Sequence, residues 1–249
     1  MDARHTAAAI ARVRAREGAR PANERLFDDP YAALFDDTSL DVQQLFDLIP
    51  FFEEHIRLRT RFFDDAVRDA VRGGVEQVVL VGAGFDARAL RMPELRENVR
   101  VVEEDHEDQI ALKRQRFAEA SIALPDTLSF ASADLMTPGA LAEGLASAGL
   151  RDPGRVLWVC EGLLGYLSLP AVTELATTTA ALSMRGSTLV ANHGVNSWKP
   201  EVIAATFARS GWDVTAAPSY DELFRKWLGP EVPPGGQEFA LLVAVSPPG

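Results

Sequence analysis

The sequence is poor in the residues that staple or metallate a protein. It has one cysteine, Cys160, and four histidines in 249 residues. A lone cysteine excludes an internal disulfide and fits a reducing compartment. Cys160 lies in an apolar run, which suits a buried structural thiol better than a nucleophile. No Cys/His group has metal-ligand spacing, so no metal is expected. Positive charge is also in deficit, with 25 Lys+Arg against 36 Asp+Glu and a net charge of −11. Such a surface repels phosphate backbones, so nucleic acid is not an expected partner. No apolar run approaches the ~20 residues of a membrane span. The opening stretch MDARHTAAAIARVRAREG has arginines but no long apolar core. Neither a membrane segment nor a signal peptide is expected, and a cytoplasmic location is the resulting expectation.

What is present suits one large α/β domain. Hydrophobic residues make up 47% and charged residues 24%, ordinary for a globular chain long enough to bury its own core. The first seventy or so residues carry helix signals only. A helix is expected over Thr6–Glu17, broken by Gly18 to Pro21. Asp29 is placed to cap a short helix from Pro30. An apolar segment, Leu40–Ile49, precedes Pro50, and a long helix over Phe51–Val71 ends at Gly73-Gly74. From Gln77 the pattern alternates. Strands are expected at Gln77–Val81, Val99–Glu103, Thr127–Ala131, Arg155–Cys160 and Ser187–Ala191, with helices between them. This alternation specifies a mostly parallel sheet with helices on both faces. Trp212–Thr215 and Phe239–Val245 read as later strands, the last one hairpin-like and making the sheet mixed. The expected division is a helical cap over 1–74 and a Rossmann-like catalytic domain over 75–249.

The stretch Gln77–Leu90, QVVLVGAGFDARAL, is the chemical centre of this pattern. A β-branched run feeds a turn on Gly82-Ala83-Gly84, and a helix start follows. That is how an α/β sheet commonly receives a nucleotide-like ligand. Gly82-x-Gly84-x-x-Ala87 fits a dinucleotide fingerprint. It also fits the looser turn of methyltransferases that use S-adenosylmethionine (SAM). Asp86 separates the two readings. A carboxylate in the first helical turn repels a pyrophosphate but tolerates a cationic sulfonium. An NAD(P)-dependent oxidoreductase is therefore the alternative, and SAM the favoured ligand.

Other strand ends carry candidate groups. The second ends Glu103-Glu104-Asp105-His106, about twenty residues past the glycine turn, where a carboxylate can accept from a ribose diol. Capping or solvated carboxylates are the competing reading. Asp134 and Leu135 follow the third strand, where an aspartate can accept from an exocyclic amine and a leucine can cover a purine. Asp134 can equally cap its own turn. Glu161 follows five apolar residues, and a partly buried carboxylate there needs a cation. An ammonium or sulfonium ligand would supply one, as would a protein arginine. Arg57, Arg59 and Arg61 lie in the long helix, where one or two could receive a ligand carboxylate. His193, beyond the fifth strand, is the best-placed candidate for a general base, and His55 is a second.

The ordered set Arg59-Thr-Arg61, Val81-Gly-Ala-Gly-Phe-Asp86-Ala-Arg88, Glu103-Glu-Asp105-His106, Asp134-Leu135 and Glu161-Gly-Leu-Leu-Gly-Tyr166-Leu resembles the leucine carboxyl methyltransferase family. It is closer still to that family's bacterial SAM-dependent O-methyltransferases, some of which act on polyketides. Asp29-Pro30-Tyr31-Ala32 resembles the family's N-terminal region, and the likeness runs from about Thr6 to about Ala191. It implies a class I methyltransferase fold, SAM as cofactor and a small-molecule acceptor. It also implies that Arg59 and Gly82, Ala83 and Gly84 hold the methionine carboxylate, and that Asp105, with Glu103 as rival, takes the ribose. Asp134 and Leu135 would meet adenine, Glu161 the methionine amino group, and Tyr166 the sulfonium or the substrate entrance. Two positions depart from the family pattern: Glu104 replaces an apolar residue, and Glu107 follows the Asp-His pair where proline is usual. The C-terminal third matches poorly, and with it the acceptor pocket. The N-terminal helices are expected to cover the sheet's carboxyl edge as a lid.

Overall fold

The computed structural model describes residues 3–36, 51–96, 98–150 and 154–246, with side chains from residue 6 onward. The expected segment Leu40–Ile49 lies outside these residues. Helix α1 (Ala3–Gly18) and a single 3-10 turn (Ala32–Phe35) lead to the long α2 (Phe52–Arg72). Glu53 and Glu54 occupy the first turn of α2, where carboxylates favour the helix dipole. Its end is fixed by Gly73 and Gly74: Gly73 N donates to Asp69 O, and Gly74 takes a φ of +85° that glycine adopts without strain.

Seven strands follow: β1 (Gln77–Val81), β2 (Arg100–Asp105), β3 (Leu128–Ser132), β4 (Val156–Cys160), β5 (Thr188–Gly194), β6 (Asp213–Thr215) and β7 (Phe239–Val245). The helices between them are α3 (Arg88–Arg91), α4 (Glu107–Glu119), α5 (Ala140–Ser147), α6 (Leu169–Ala181), α7 (Pro200–Arg209) and α8 (Tyr220–Trp227). The strands order as β3-β2-β1-β4-β5-β7-β6. All neighbours among the first five are parallel, while β7 runs antiparallel between β5 and β6. The expected mixed sheet is present. The last strand inserts between two others instead of forming a simple terminal hairpin.

The pleat sorts the core. Val79, Val81, Trp158 and Leu189 face one side and pack with Leu145 of α5, Val172 and Leu175 of α6 and Phe207 of α7. Val78, Leu80, Leu157 and Val190 face the other side and pack with Phe63 and Val67 of α2 and Phe117 of α4. The expected division at residue 74 crosses this second cluster, because the C-terminal half of α2 is one of the sheet's covering helices. Ala8, Ala9 and Val13 of α1 pack instead with Phe52 and Ile56 at the start of α2, while Ala11 and Phe35 join the second cluster. Strand order reverses between β1 and β4, so the crossovers leave β1 on opposite sides and open a crevice above the strands' carboxyl ends.

Gly144 tests how closely α5 packs. A Cβ there would stand 2.6 Å from the Ser132 backbone oxygen. In an exposed helix interior, Gly→Ala gains up to about 1 kcal/mol. Here we expect the opposite sign, a loss of about 1–3 kcal/mol for Gly144→Ala from overpacking, read from urea denaturation midpoints.

Candidate active site

The glycine turn is built by β2 as much as by β1. Gly82 and Gly84 take φ of +63° and +51°. Three successive N–H groups of the turn then point to the end of β2. Gly82 N donates to Glu104 Oε2 (3.1 Å), Ala83 N to the Glu104 carbonyl (2.8 Å) and Gly84 N to Asp105 Oδ2 (2.7 Å). A Cβ on Gly82 would meet Leu163 at 2.8 Å, whereas one on Gly84 would meet nothing within 4 Å. Helix α3 does not start until Arg88, and its first N–H is taken by Asp86 Oδ1 at 2.7 Å. Donors that a pyrophosphate would need are therefore already occupied, by the carboxyl groups of Glu104, Asp105 and Asp86 and by the Glu104 carbonyl.

Beside the turn lies a buried ion cluster. Glu161, just beyond β4, meets three guanidinium groups: Arg14 Nη2 at 3.0 Å and Arg59 Nε at 2.9 Å from Oε1, and Arg88 Nη2 at 2.6 Å from Oε2. Arg88 also pairs with Asp86 and, at 2.7 Å, with Asp64. Arg91 holds Asp64 at 2.6 Å and approaches Asp29 at 3.8 Å. Burial would raise Glu161, but Arg88, Arg14 and Arg59 outweigh it and hold the carboxyl well below its ordinary value. Asp64 is held down in the same way, by Arg91 and Arg88 against its burial. Four arginines face four carboxylates, so the cluster is close to neutral. A zwitterion can enter it without changing the net buried charge. Arg14 Nε is buried with no partner among the described residues, a donor in place for an incoming carboxylate.

Of this cluster Arg14, Arg59 and Glu161 line a cavity of about 300 Å³ at the carboxyl edge of the sheet, with Arg88, Arg91, Asp64 and Asp86 behind them. Arg59, Gly82, Ala83, Gly84, Asp105, Asp134, Leu135, Glu161 and Tyr166, all expected from the sequence, line it together. Arg59 and Glu161 face it as a pair bonded to each other, so the protein-arginine partner foreseen for Glu161 is present alongside the ligand-facing position. Asp134 serves its own turn, accepting from Met136 N (2.9 Å) and Thr137 Oγ1 (3.1 Å), while it also borders the cavity. Tyr166 and Met136 are about half exposed and stand at the mouth.

Five candidate residues are elsewhere. Arg57 is held by Glu17 at 2.7 Å and Arg61 by Asp65 at 3.0 Å. Glu103 points to the opposite sheet face and is buried against Lys113 Nζ at 2.7 Å, so it is not a ribose contact. Its alternation partner Glu104 forms part of the cavity wall instead. Glu104 shares the sheet face of Val102, two residues earlier on β2. His193 is buried on β5, with Nδ1 3.3 Å from the Gly194 carbonyl, and burial lowers its pKa. It does not line the cavity. His55 is stacked on Phe239 with ring centroids 3.6 Å apart, and burial, then Arg59, keep it neutral. Neither histidine is in position to act as base in this cavity.

Thr6, Ala7, Ile10, Ala11 and Arg14 of α1 form the cavity roof. Their i, i+3, i+4 spacing was the available signal for Arg14. Arg88 had no such signal, because its partners come from three separate segments.

A family model for leucine carboxyl methyltransferases matches residues 7–180. A candidate SAM-dependent methyltransferase of Frankia alni is 35% identical over 207 residues, which span 81% of this chain and 72% of that protein. Candidate SAM-dependent methyltransferases of Parafrankia sp. and Mycolicibacterium smegmatis are 36% and 39% identical over 74% and 73% of this chain. The chain spans 61% and 64% of those two relatives' lengths, under two thirds of each. Among solved structures, a candidate methyltransferase from Thermobifida fusca superposes with a TM-score of 0.61 at 16% identity, over 95% of this chain and 94% of that one. Magnesium protoporphyrin IX methyltransferase from Synechocystis, solved with bound SAM, gives 0.55 at 15% identity, over 96% and 97%. At these identities the likeness concerns the fold, that of class I SAM-dependent methyltransferases.

The ion cluster sets two expectations. Arg88→Met leaves Asp64, Asp86 and Glu161 short of a cation, and we expect it to cost about 3–5 kcal/mol in chemical denaturation. The pH profile of stability follows from opposite shifts. Glu161 and Asp64 have depressed pKa values, so their contribution is present above the ordinary carboxylate range and lost as pH falls from that range through their depressed values. Burial raises Glu103 to about 7 and Glu104 to about 8, so the unfolded chain ionises these groups first. Stability should therefore fall as pH rises from about 5 to about 8, and calorimetric Tm values should be less steep over that window in Glu104→Gln.

Proposed function

The chain belongs to the leucine carboxyl methyltransferase family, and from that membership and this cavity we propose that it is a SAM-dependent O-methyltransferase acting on a carboxylate or hydroxyl oxygen of a small molecule, polyketide-type compounds included. The observation that carries the reading is the convergence of Glu161, Arg59 and Arg14 on one end of a cavity whose other end is bordered by Asp134 and Leu135. Bound SAM supplies an electrophilic methyl group on a cationic sulfur. Glu161 would take its amino group, and Arg59 with the unpartnered Arg14 Nε its carboxylate. Asp105, which also holds Gly84 N, lies nearer the ribose, and Leu135 covers the base. This set fits the cofactor's zwitterionic end without leaving a buried charge unpaired.

The chain's task is to hold an acceptor oxygen about 3–3.5 Å from the methyl carbon and to exclude water. The oxygen lone pair forms the new O–C bond, the C–S electrons return to sulfur, and a neutral thioether remains. An ionised carboxylate has no proton to lose. The sole histidine lining the cavity among the described residues, His106, adjoins Asp134 at the base end. A carboxylate acceptor is therefore favoured over a phenol or alcohol, which needs a base. Apolar Leu163, Leu167, Met136 and Tyr166 near the mouth suit an acceptor with an apolar body.

The dinucleotide alternative is disfavoured by the same geometry. Carboxyl groups occupy Gly82 N, Gly84 N and the first N–H of α3, where a pyrophosphate would have to dock. Calorimetry should show binding of SAM and S-adenosylhomocysteine (SAH) and none of NAD(H); binding of NAD(H) alone would overturn the proposal. Glu161→Gln should weaken SAM at least 100-fold, about 2.7 kcal/mol, with Asp105→Ala weakening it less. Unchanged affinity in both would show that the ligand's amino acid end lies elsewhere. Mass spectrometry of a panel of carboxylates, phenols and amines should detect methyl esters first. Methylation confined to amines would sink the oxygen assignment.

A further inference from the structure

Among the described carboxylates that line the cavity, Glu104 stands out by a buried oxygen that has neither a hydrogen bond nor an ion pair. Glu104 is fully buried, and its Oε2 accepts from Gly82 N. Its Oε1 has no partner among the described residues, and no described cation forms an ion pair with it. In the sheet register Glu104 is level with Val81, and Leu80 is level with Val159. One residue further, Glu104, Val81 and Cys160 continue a row across β2, β1 and β4, immediately before Glu161. Glu104 thus lies on the cavity floor between the end that holds Glu161 and the end that holds Asp134. A donor molecule stretched between those ends must pass its sulfur and ribose over this row.

We propose that Glu104 contacts the bound methyl donor through its free Oε1 and makes the site favour cationic SAM over neutral SAH. This rests on the methyltransferase reading and deepens it, giving a residue at a position the ligand's two anchors do not reach. The β1 turn offers only the Gly82 N–H, and β4 offers Cys160, whose thiol burial pushes up. On β2 itself, Asp105 adds like charge, while Glu103 and Lys113 face the other side of the sheet. Across the cavity, Arg14 and Arg59 are drawn to Glu161, and His106 to Asp134.

The charge state follows. Burial, opposed by Gly82 N–H and reinforced by Asp105, raises Glu104 to about 8, so near neutral pH it is mostly protonated without ligand. A sulfonium over the floor favours the ionised form, so SAM binding releases the proton. The thioether of SAH does not. Transfer of the methyl group then removes the cation that held Glu104 ionised, and the reuptake of a proton accompanies the product state.

The test is calorimetry on the full chain with SAM and, separately, SAH at pH 6.5 and 8.5. The wild-type affinity ratio of SAM to SAH should rise about tenfold between those pH values. Glu104→Gln should bind both ligands and lose that rise. The ligands' own amino groups titrate alike in both proteins, so the difference isolates Glu104. Glu104→Leu removes the buried polar group altogether and should flatten the ratio too, so the test does not depend on one variant's folding. A rise that persists in either variant, or is absent from wild type, overturns the proposal. If wild type binds neither ligand, the methyltransferase reading falls and this inference with it. If both bind with a ratio indifferent to pH, only the role of Glu104 falls.

Discussion

The pairing of Glu161 with Arg14, Arg59 and Arg88 is the contact on which the rest of the site depends. One carboxylate at the end of β4 ties together α1, α2 and α3. Remove its charge and the roof helix, the long covering helix and the short helix after the glycine turn all lose a common anchor. Burying such groups is costly in itself, and the cost is offset only because every charge is matched. The same matching explains how the cavity can receive a zwitterion. Ligand groups replace protein groups of equal sign, and the local balance is kept.

The glycine turn is the second constraint. In this chain it is shaped from beneath by Glu104 and Asp105, which accept all three of the turn's N–H bonds. A carboxylate-lined turn is suited to a ligand with cationic character and unsuited to a diphosphate. Fold alone does not make that distinction, since both ligand classes use the crevice where strand order reverses. The distinction comes from which side chains terminate β2 and open α3. Beyond the charged end, the cavity mouth is bordered by the apolar Leu163, Leu167 and Met136 with Tyr166.

The boundary expected at residue 74 illustrates how a helical segment can serve two purposes. Phe63 and Val67 belong to the sheet's core, whereas Arg59, one turn earlier on α2, belongs to the cavity. Among the described residues, α1 borders the cavity through the stripe from Thr6 to Arg14. Packing on one face and ligand recognition on another are compatible in a helix because residues three and four apart share a face.

The sequence by itself determined the strands, the order of helix and strand, the glycine turn and most of the residues that meet at it. Those are local properties: apolar runs, turn glycines and carboxylates at strand ends can be read from neighbours a few positions away. It also carried the carboxylates at 103, 104 and 105 without saying which faced the ligand, and one residue of register decided that. Tertiary structure alone decided that Glu104, not Glu103, would reach the cavity, that His193 and His55 would be buried away from it, and that Arg14 and Arg88 would converge on Glu161. Such pairings join segments up to 147 residues apart. Their partners are chosen by the crossing of packed helices, and no local pattern in the chain encodes that crossing.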